Sequence, residues 1–285
     1  MIPKKYRYLL EEPLPLSAGA QGKRGTLDLV LGNRNGKTIL ERRYAQIPLY
    51  VYGPLYIDQK MPDMAYLYLV NPTGGIVQGD RICLNLKVGE DCKGHVTTQS
   101  ANKVYGMESN CAVQQTTIEV YKNSYLEFLP DHTIPYRDSR FFQFTEIRAH
   151  RDATIFFWDI VCPGRYVRGE EFEYDVYYSS LKVFVDGELR LVDTVCLNPK
   201  ENDPRRTGIL GKNKFLANVY VISNNYDELL EETENLGAGG VTPNNVFVLR
   251  ILEKDWLRMK KILSDIWLKV RRVYLNSDLP PPRKY

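Results

Sequence analysis

Between residues 26 and 220 the chain is a succession of short apolar runs, each the length of a strand. Turn clusters rich in Gly, Pro, Asn and Asp close the runs, and almost no helical period intervenes. No other feature restricts the fold as much, because strands at such regular spacing must find partners side by side and a second layer to cover them. A sandwich or stack of sheets follows. Residues 25–31 and 38–42 flank Asn35-Gly36 and read as a hairpin. Residues 182–185 and 188–191 flank Asp186-Gly187, a pair suited to the positive φ angles of a type I′ turn. Residues 153–161 form a continuous apolar run, the pattern of a strand buried on both faces. The 20 Tyr and 12% aromatic content agree with sheets rather than bundles.

The last quarter reads differently. A strand at 215–222 precedes an acidic helix at 226–236, with Asn225 as cap, Asp227 and Glu228 in the first turn and Gly237 closing it. A strand at 246–251 follows. Then Trp256, Met259, Leu263, Ile266, Trp267, Val270 and Tyr274 recur at three- and four-residue steps, the stripe of a packed helix. Lys260, Lys261, Lys269 and Arg272 lie mostly off that stripe, and Pro280-Pro281-Pro282 is expected to stop the helix and begin a loose tail. The expected organisation is one domain over 1–285. It has a β-rich body to about residue 214, a C-terminal βαβα appendage to about 276 and a tail from 277. Residues 200–214, rich in charge, Pro and Gly, read as a mobile loop.

Several functions are disfavoured. A net charge of +3 is too small for a nucleic-acid footprint, no run approaches a membrane span, and the N-terminus lacks the apolar core of a secretion signal. Five cysteines, odd in number and without C-x-x-C spacing, point to a reducing compartment and so to the cytoplasm. The loop at 74–80 lacks the Lys and hydroxyl of a phosphate loop and leads into a strand, not a helix. Asp131-His132 lacks a nucleophile motif, and His95, His132 and His150 lack ligand spacing, so neither catalysis nor a tight metal site is expected. Asp80, Lys103, Asp159, Arg165, Arg168, Glu170 and Glu171 stand beside strand ends and turns, as loop-fixing ion pairs or as the walls of a polar channel. Asp159 is the odd member, a carboxylate inside an apolar run, and it should need a cation such as Arg165 or Lys103.

In order along the chain come Gly53-Pro54-Leu55, Pro62-Asp63, the Pro72 to Asp80 loop, Thr97-Thr98 with Ala101, Lys103 and Tyr105, and Leu129-Pro130. Trp158-Asp159, Gly164-Arg165, Gly169-Glu170 with Phe172, and Asp265-Ile266-Trp267 follow. Together they resemble the UreD (UreH) urease accessory proteins over roughly residues 22–276. The chain departs from the common pattern at Asn71, where many members have His, and at Gly106, where many have Arg.

The resemblance implies a mainly β fold of stacked, β-helix-like two-layer sheets with two helices. It implies a scaffold or chaperone for urease metallocentre assembly, not an enzyme. Its partners would be UreF-like and UreG-like accessory proteins and apo-urease, and a homodimer within that complex is compatible with it. Nucleotide hydrolysis would belong to the UreG-like GTPase. Nickel would pass transiently through a tunnel, with no tightly bound cofactor. The candidate path or functional residues are Asp63, Asp80, Lys103, Asp159, Arg165 and Glu170, none of them a confident metal ligand. The competing readings are a β-sandwich carbohydrate-binding module, which the 20 Tyr permit, and a hydrolase built on Asp131 and His132.

Overall fold

The computed structural model describes residues 2–9, 22–233, 236 and 238–281. After a 3-10 turn at Lys4–Leu9, the chain forms a hairpin of β1 (Arg24–Arg34) and β2 (Lys37–Gln46). Asn35 and Gly36 between them take φ of 53° and 81°, the pair of left-handed residues expected for a type I′ turn. The short β3 (Tyr50–Val51) leads to β4 (Ala65–Val70), and from there the chain winds as a solenoid. It crosses to a second sheet at β5 (Arg81–Val88), returns at β6 (Lys93–Thr98) and passes a short third face at β7 (Asn102–Val104). The next coil is β8 (Ala112–Val120), β9 (Tyr125–Phe128) and β10 (Thr133–Pro135). The last is β11 (Arg140–Ala149), β12 (Thr154–Val161) and β13 (Val176–Val185). Strands β4, β6, β9 and β12 run parallel in one layer. Strands β1, β5, β8, β11 and β13 run parallel in the other.

Antiparallel strands complete both layers. β14 (Glu188–Leu197) folds back on β13 through Asp186 (φ 49°) and Gly187 (φ 83°). β15 (Phe215–Ile222) pairs with β12 from Ile155↔Ile222 to Val161↔Leu216. β16 (Ala238–Val241) and β17 (Phe247–Glu253) extend that edge. The result is a seven-stranded sheet facing a ten-stranded one. The C-terminal segment carries the two expected helices, and its strands continue the ten-stranded layer. Sequence reasoning missed β16 because Ala238-Gly239-Gly240 has no strand propensity. Gly239 is required there by close approach, since a Cβ would lie 2.7 Å from the Val248 carbonyl oxygen.

Helix α1 spans Asp227–Thr233, and the Asn225 side chain accepts the Asp227 N–H at 3.1 Å. Gly237, expected to close it, lies outside the described residues. Helix α2 spans Trp256–Leu275, and Asp255 caps it by accepting the Arg258 N–H at 2.9 Å. Met259, Leu263, Ile266 and Val270 of α2 pack on the outer face of the ten-stranded sheet against Phe156, Val219 and Leu249. The stop is not the proline run but Asn276, which adopts the left-handed conformation at φ 48°. Residues 277–280, expected to be loose, are tied down. Ser277 and Pro280 are buried, and the Asp278 carbonyl accepts from Arg271 at 2.9 Å. The 200–214 segment is a run of turns anchored by buried Leu210 and by the Lys214 N–H to the Glu253 carbonyl at 2.9 Å.

Candidate functional site

Strand side chains alternate between faces, so the inward face of the seven-stranded sheet can be read row by row from its register. One row runs Leu86, Ile118, Ile147, Val183, Leu191, and another Ala112, Phe141, Tyr177, Leu197. These feed two separate apolar clusters. Between them lie two rows of another kind. Gln114, Gln143 and Ser179 stand side by side, and so do Thr116 and Thr145, with Asp193 at the end of their row beyond Leu181. The facing sheet supplies Thr98, Asp159 and Asn218 at the same level, and Asn218 pairs in turn with Arg250. A polar belt thus crosses the interior at right angles to the strands. A buried amide or hydroxyl left unmatched costs about 1–3 kcal/mol, so packing alone does not account for such a belt.

The belt encloses space. A cavity of about 160 Å³ opens among the loops at 71–75, 99–103 and 130–131 and runs inward past Thr116 and Gln143 to Asp159. There it meets a cleft of about 10 Å³, the room of one water, lined by Asp159, Ser179, Asp193, Asn218 and Tyr220. Thr145, Phe157 and Asp159 line both.

Asp159 is the junction. Its carboxylate accepts from the Ser179 hydroxyl at 2.7 Å and from the Tyr177 hydroxyl at 3.1 and 3.2 Å. The Gln143 amide donates to both hydroxyls, at 2.9 and 3.0 Å, and so fixes their protons toward Asp159. Loss of hydration raises the Asp159 pKa above the usual carboxylate value, the hydroxyl and amide contacts offset part of this, and the Asp193 charge adds to it. Among the described residues no cation pairs with it, and Arg165 is engaged by Glu170, so the expectation that Arg165 or Lys103 would pair with Asp159 is corrected. Two neutral hydroxyls hold it instead, with Gln143 behind them.

At the far side the belt reaches the edge strand β14. Asp193 accepts from the Tyr220 hydroxyl at 2.8 Å and from the Arg250 guanidinium at 2.6 Å, and Arg250 Nε also donates to the Asn218 side-chain oxygen at 2.7 Å.

Of the six residues singled out in the sequence, Asp159 and Lys103 line this space and the other four do not. Asp63 pairs with Lys93 at 2.8 Å. Asp80 is fully buried and accepts the N–H groups of Lys23 and Val77, both at 3.0 Å, which fixes the 77–80 turn. Glu170 is bound by Arg165 and by the Arg137 N–H at 2.9 Å. The Arg165 contact outweighs burial and lowers the Glu170 pKa. Arg165 also lies 4.4 Å from the Tyr136 ring centroid. These four hold loops because short acidic and basic side chains at turn ends find backbone donors or each other first.

The histidines are dispersed. His132 packs on Trp256, His150 sits near Asp152, and His95 lies beneath α2. All five cysteines are free, and burial pushes the Cys92 and Cys111 thiols up to about 11, so they remain protonated. Among the described residues no group of three or more His, Cys, Asp or Glu is arranged to hold a metal ion. No helix among them is long and apolar enough to cross a membrane.

Sequence reasoning missed a second buried polar centre. Arg271, with no exposed surface, donates to Glu127 at 2.7 Å, to Asp58 at 2.8 Å and to the Tyr66 hydroxyl at 2.5 Å. Glu127 also contacts His95 Nδ1 at 2.6 Å and accepts from the Tyr125 hydroxyl at 3.0 Å, while the His95 ring stacks between Tyr66 and Trp267. Burial alone would raise Glu127, but His95 and Arg271 together bring its pKa below the usual value. The available signal was position: Trp267, Val270, Arg271 and Tyr274 step by three and four, so Arg271 lies on the buried stripe. The centre is fully enclosed and joins α2 to the sheet.

Comparison with known proteins agrees with this architecture. The family described as UreD urease accessory protein matches residues 23–285. Among individual relatives, the "Urease accessory protein UreD" of Cenarchaeum symbiosum is 37% identical over 73% of this chain and 73% of its own length. That of Haloarcula marismortui is 33% identical over 96% of this chain and 95% of its own. The "Urease accessory protein UreD 2" of Streptomyces griseus is 32% identical over 97% and 99%.

Proposed function

This chain belongs to the UreD family of urease accessory proteins, and from that premise we propose that it is a non-catalytic subunit whose interior belt conducts nickel toward apo-urease. The carrying observation is Asp159, a half-buried carboxylate inside a polar passage, held by neutral hydroxyls and paired with no cation among the described residues. Hydroxyls, amide oxygens and a carboxylate bind a borderline divalent ion far more weakly than thiolate or imidazole sets do. Such walls let an ion enter and leave, as a conducting path requires. The scattered histidines and protonated buried thiols fit that reading, since neither forms a trap along the way. Nucleotide hydrolysis then falls to a UreG-like GTPase, and a UreF-like protein joins the assembly that docks on urease in the cytoplasm. The loop at 74–80 connects two strands and has no phosphate-binding lysine.

A plug tests the path. Thr145 lines both the cavity and the cleft, so Thr145→Phe places a ring at the junction. Wild type, Thr145→Phe and the non-bulky Thr145→Val are compared with UreF-like and UreG-like proteins and apo-urease at limiting nickel. Thr145→Phe should assemble and activate at least tenfold more slowly, with Thr145→Val close to wild type. Full activation by an assembled Thr145→Phe complex would overturn the proposal.

A further inference from the structure

The open side of the sandwich offers something more specific than a passage. The seven-stranded sheet ends at β14, whereas the ten-stranded sheet continues past β15 to β17, so the two layers do not finish level. Arg250, on β17, spans the step. Its Nε donates to the Asn218 side-chain oxygen at 2.7 Å within its own sheet, and its Nη2 donates across the gap to Asp193 at 2.6 Å. Both acceptors line the narrow cleft beside Asp159. The guanidinium therefore occupies the two oxygens that an ion at this mouth would meet, while 44% of the side chain stays exposed and leaves it room to swing out.

We propose that Arg250 is a charge-selective latch on the β14 mouth of the belt, a reading that rests on the nickel path above. The rule is electrostatic competition. Asp193 and Asn218 serve either the guanidinium or an arriving cation, and in the closed state the positive charge of Arg250 repels any ion in the cleft. A monovalent ion brings no more charge than Arg250, so it gains nothing over the guanidinium at either carboxylate. A divalent ion gains about twice the attraction from Asp159 and Asp193 at equal distance, since Coulomb energy scales with charge. Both ions must shed water, the divalent one at the greater cost, so the latch opens to a divalent ion where the Asp159, Asp193 and Asn218 oxygens replace what it sheds. Tyr220, whose hydroxyl donates to Asp193 at 2.8 Å, holds the carboxylate in place when the guanidinium leaves.

The test is nickel binding by the full-length chain, followed by calorimetry with Ni²⁺ alone. Arg250→Met frees Asp193 and Asn218 without adding a ligand, so nickel affinity should rise at least tenfold over wild type. Arg250→Met/Asp193→Asn should return it to the wild-type level. Arg250→Lys keeps the charge but loses the two-pronged reach, so its affinity should fall between wild type and Arg250→Met. Unchanged nickel affinity in a folded Arg250→Met protein, or a gain that survives Asp193→Asn, would overturn the latch. The path reading fails separately: if the plugged Thr145→Phe complex activates urease normally, nickel does not use the belt, whatever Arg250 does to binding.

Discussion

Replacing Asp159 with Asn separates function from architecture, because the two make opposite demands on this position. Burial raises the Asp159 pKa, so its ionised form opposes folding. The sign follows from linkage. A group whose folded pKa is raised contributes stability below its unfolded value, about 3.9, and loses that contribution as pH rises through the folded value. Near pH 4 wild type and Asp159→Asn should therefore be about equally stable. By pH 7 the variant should match or exceed wild type, by about 0–1 kcal/mol, because the Asn amide can donate to the Tyr177 and Ser179 oxygens that now donate to Asp159. For a cation in the belt the balance reverses. A divalent ion about 4 Å from a carboxylate in an effective dielectric near 20 gains roughly 8 kcal/mol, an upper limit that water in the belt reduces severalfold. Activation at limiting nickel should fall at least tenfold while melting temperature and complex recovery hold. A melting temperature lowered by more than about 5 °C with normal activation per assembled complex would make Asp159 a structural residue. Normal values of both would take nickel out of the belt.

Arg271→Met should be among the most damaging single changes, since it leaves Asp58 and Glu127 buried without their cation. The expected loss is about 3–5 kcal/mol, or roughly 6–20 °C at about 2–4 °C per kcal/mol. In wild type the lowered Glu127 pKa contributes stability that is lost as pH falls through that value. In the variant, burial without the guanidinium pushes Glu127 upward, so proton uptake there should reverse the sign and the melting temperature rises as pH falls. A flat or opposite pH trend would refute this. Glu170→Gln loosens only the Arg165 contact and should cost about 1 kcal/mol with activation per complex unchanged. Its deficit should be present above about pH 4.3 and close as pH falls through the lowered Glu170 value; slowed activation would return Glu170 to the path.

What was legible in the sequence was local. Asn35-Gly36 and Asp186-Gly187 announced their hairpins because a type I′ turn is decided by two residues. Asp159 stood out because a carboxylate inside an apolar run contradicts its neighbours. The parallel coils were less visible, since which strand lies beside which is decided by contacts across the chain and not by period. For the same reason Gln143, Ser179 and Asn218 looked like ordinary strand residues; only the register reveals that they share a level. Arg250 and Asp193 meet across two sheets, a juxtaposition that no spacing within a strand encodes. The acidic residues at turns misled because their side chains satisfy nearby backbone groups, as Asp80 does.

The junction of α2 with the sheet bears on how the protein is made. Each coil lies against the next, Arg81 beside Val113 and Ala112 beside Phe141, so the body can assemble in the order in which it leaves the ribosome. Arg271, however, reaches Asp58 across 213 positions of chain. Until that residue is synthesised, Asp58 and Glu127 lack the guanidinium they share, and the His95 ring lacks its Trp267 cover. A stalled or truncated product therefore carries a nearly complete solenoid that exposes charge and apolar surface together, the mark of a chain still in progress. Docking of α2 is the step that supplies the missing charge and cover.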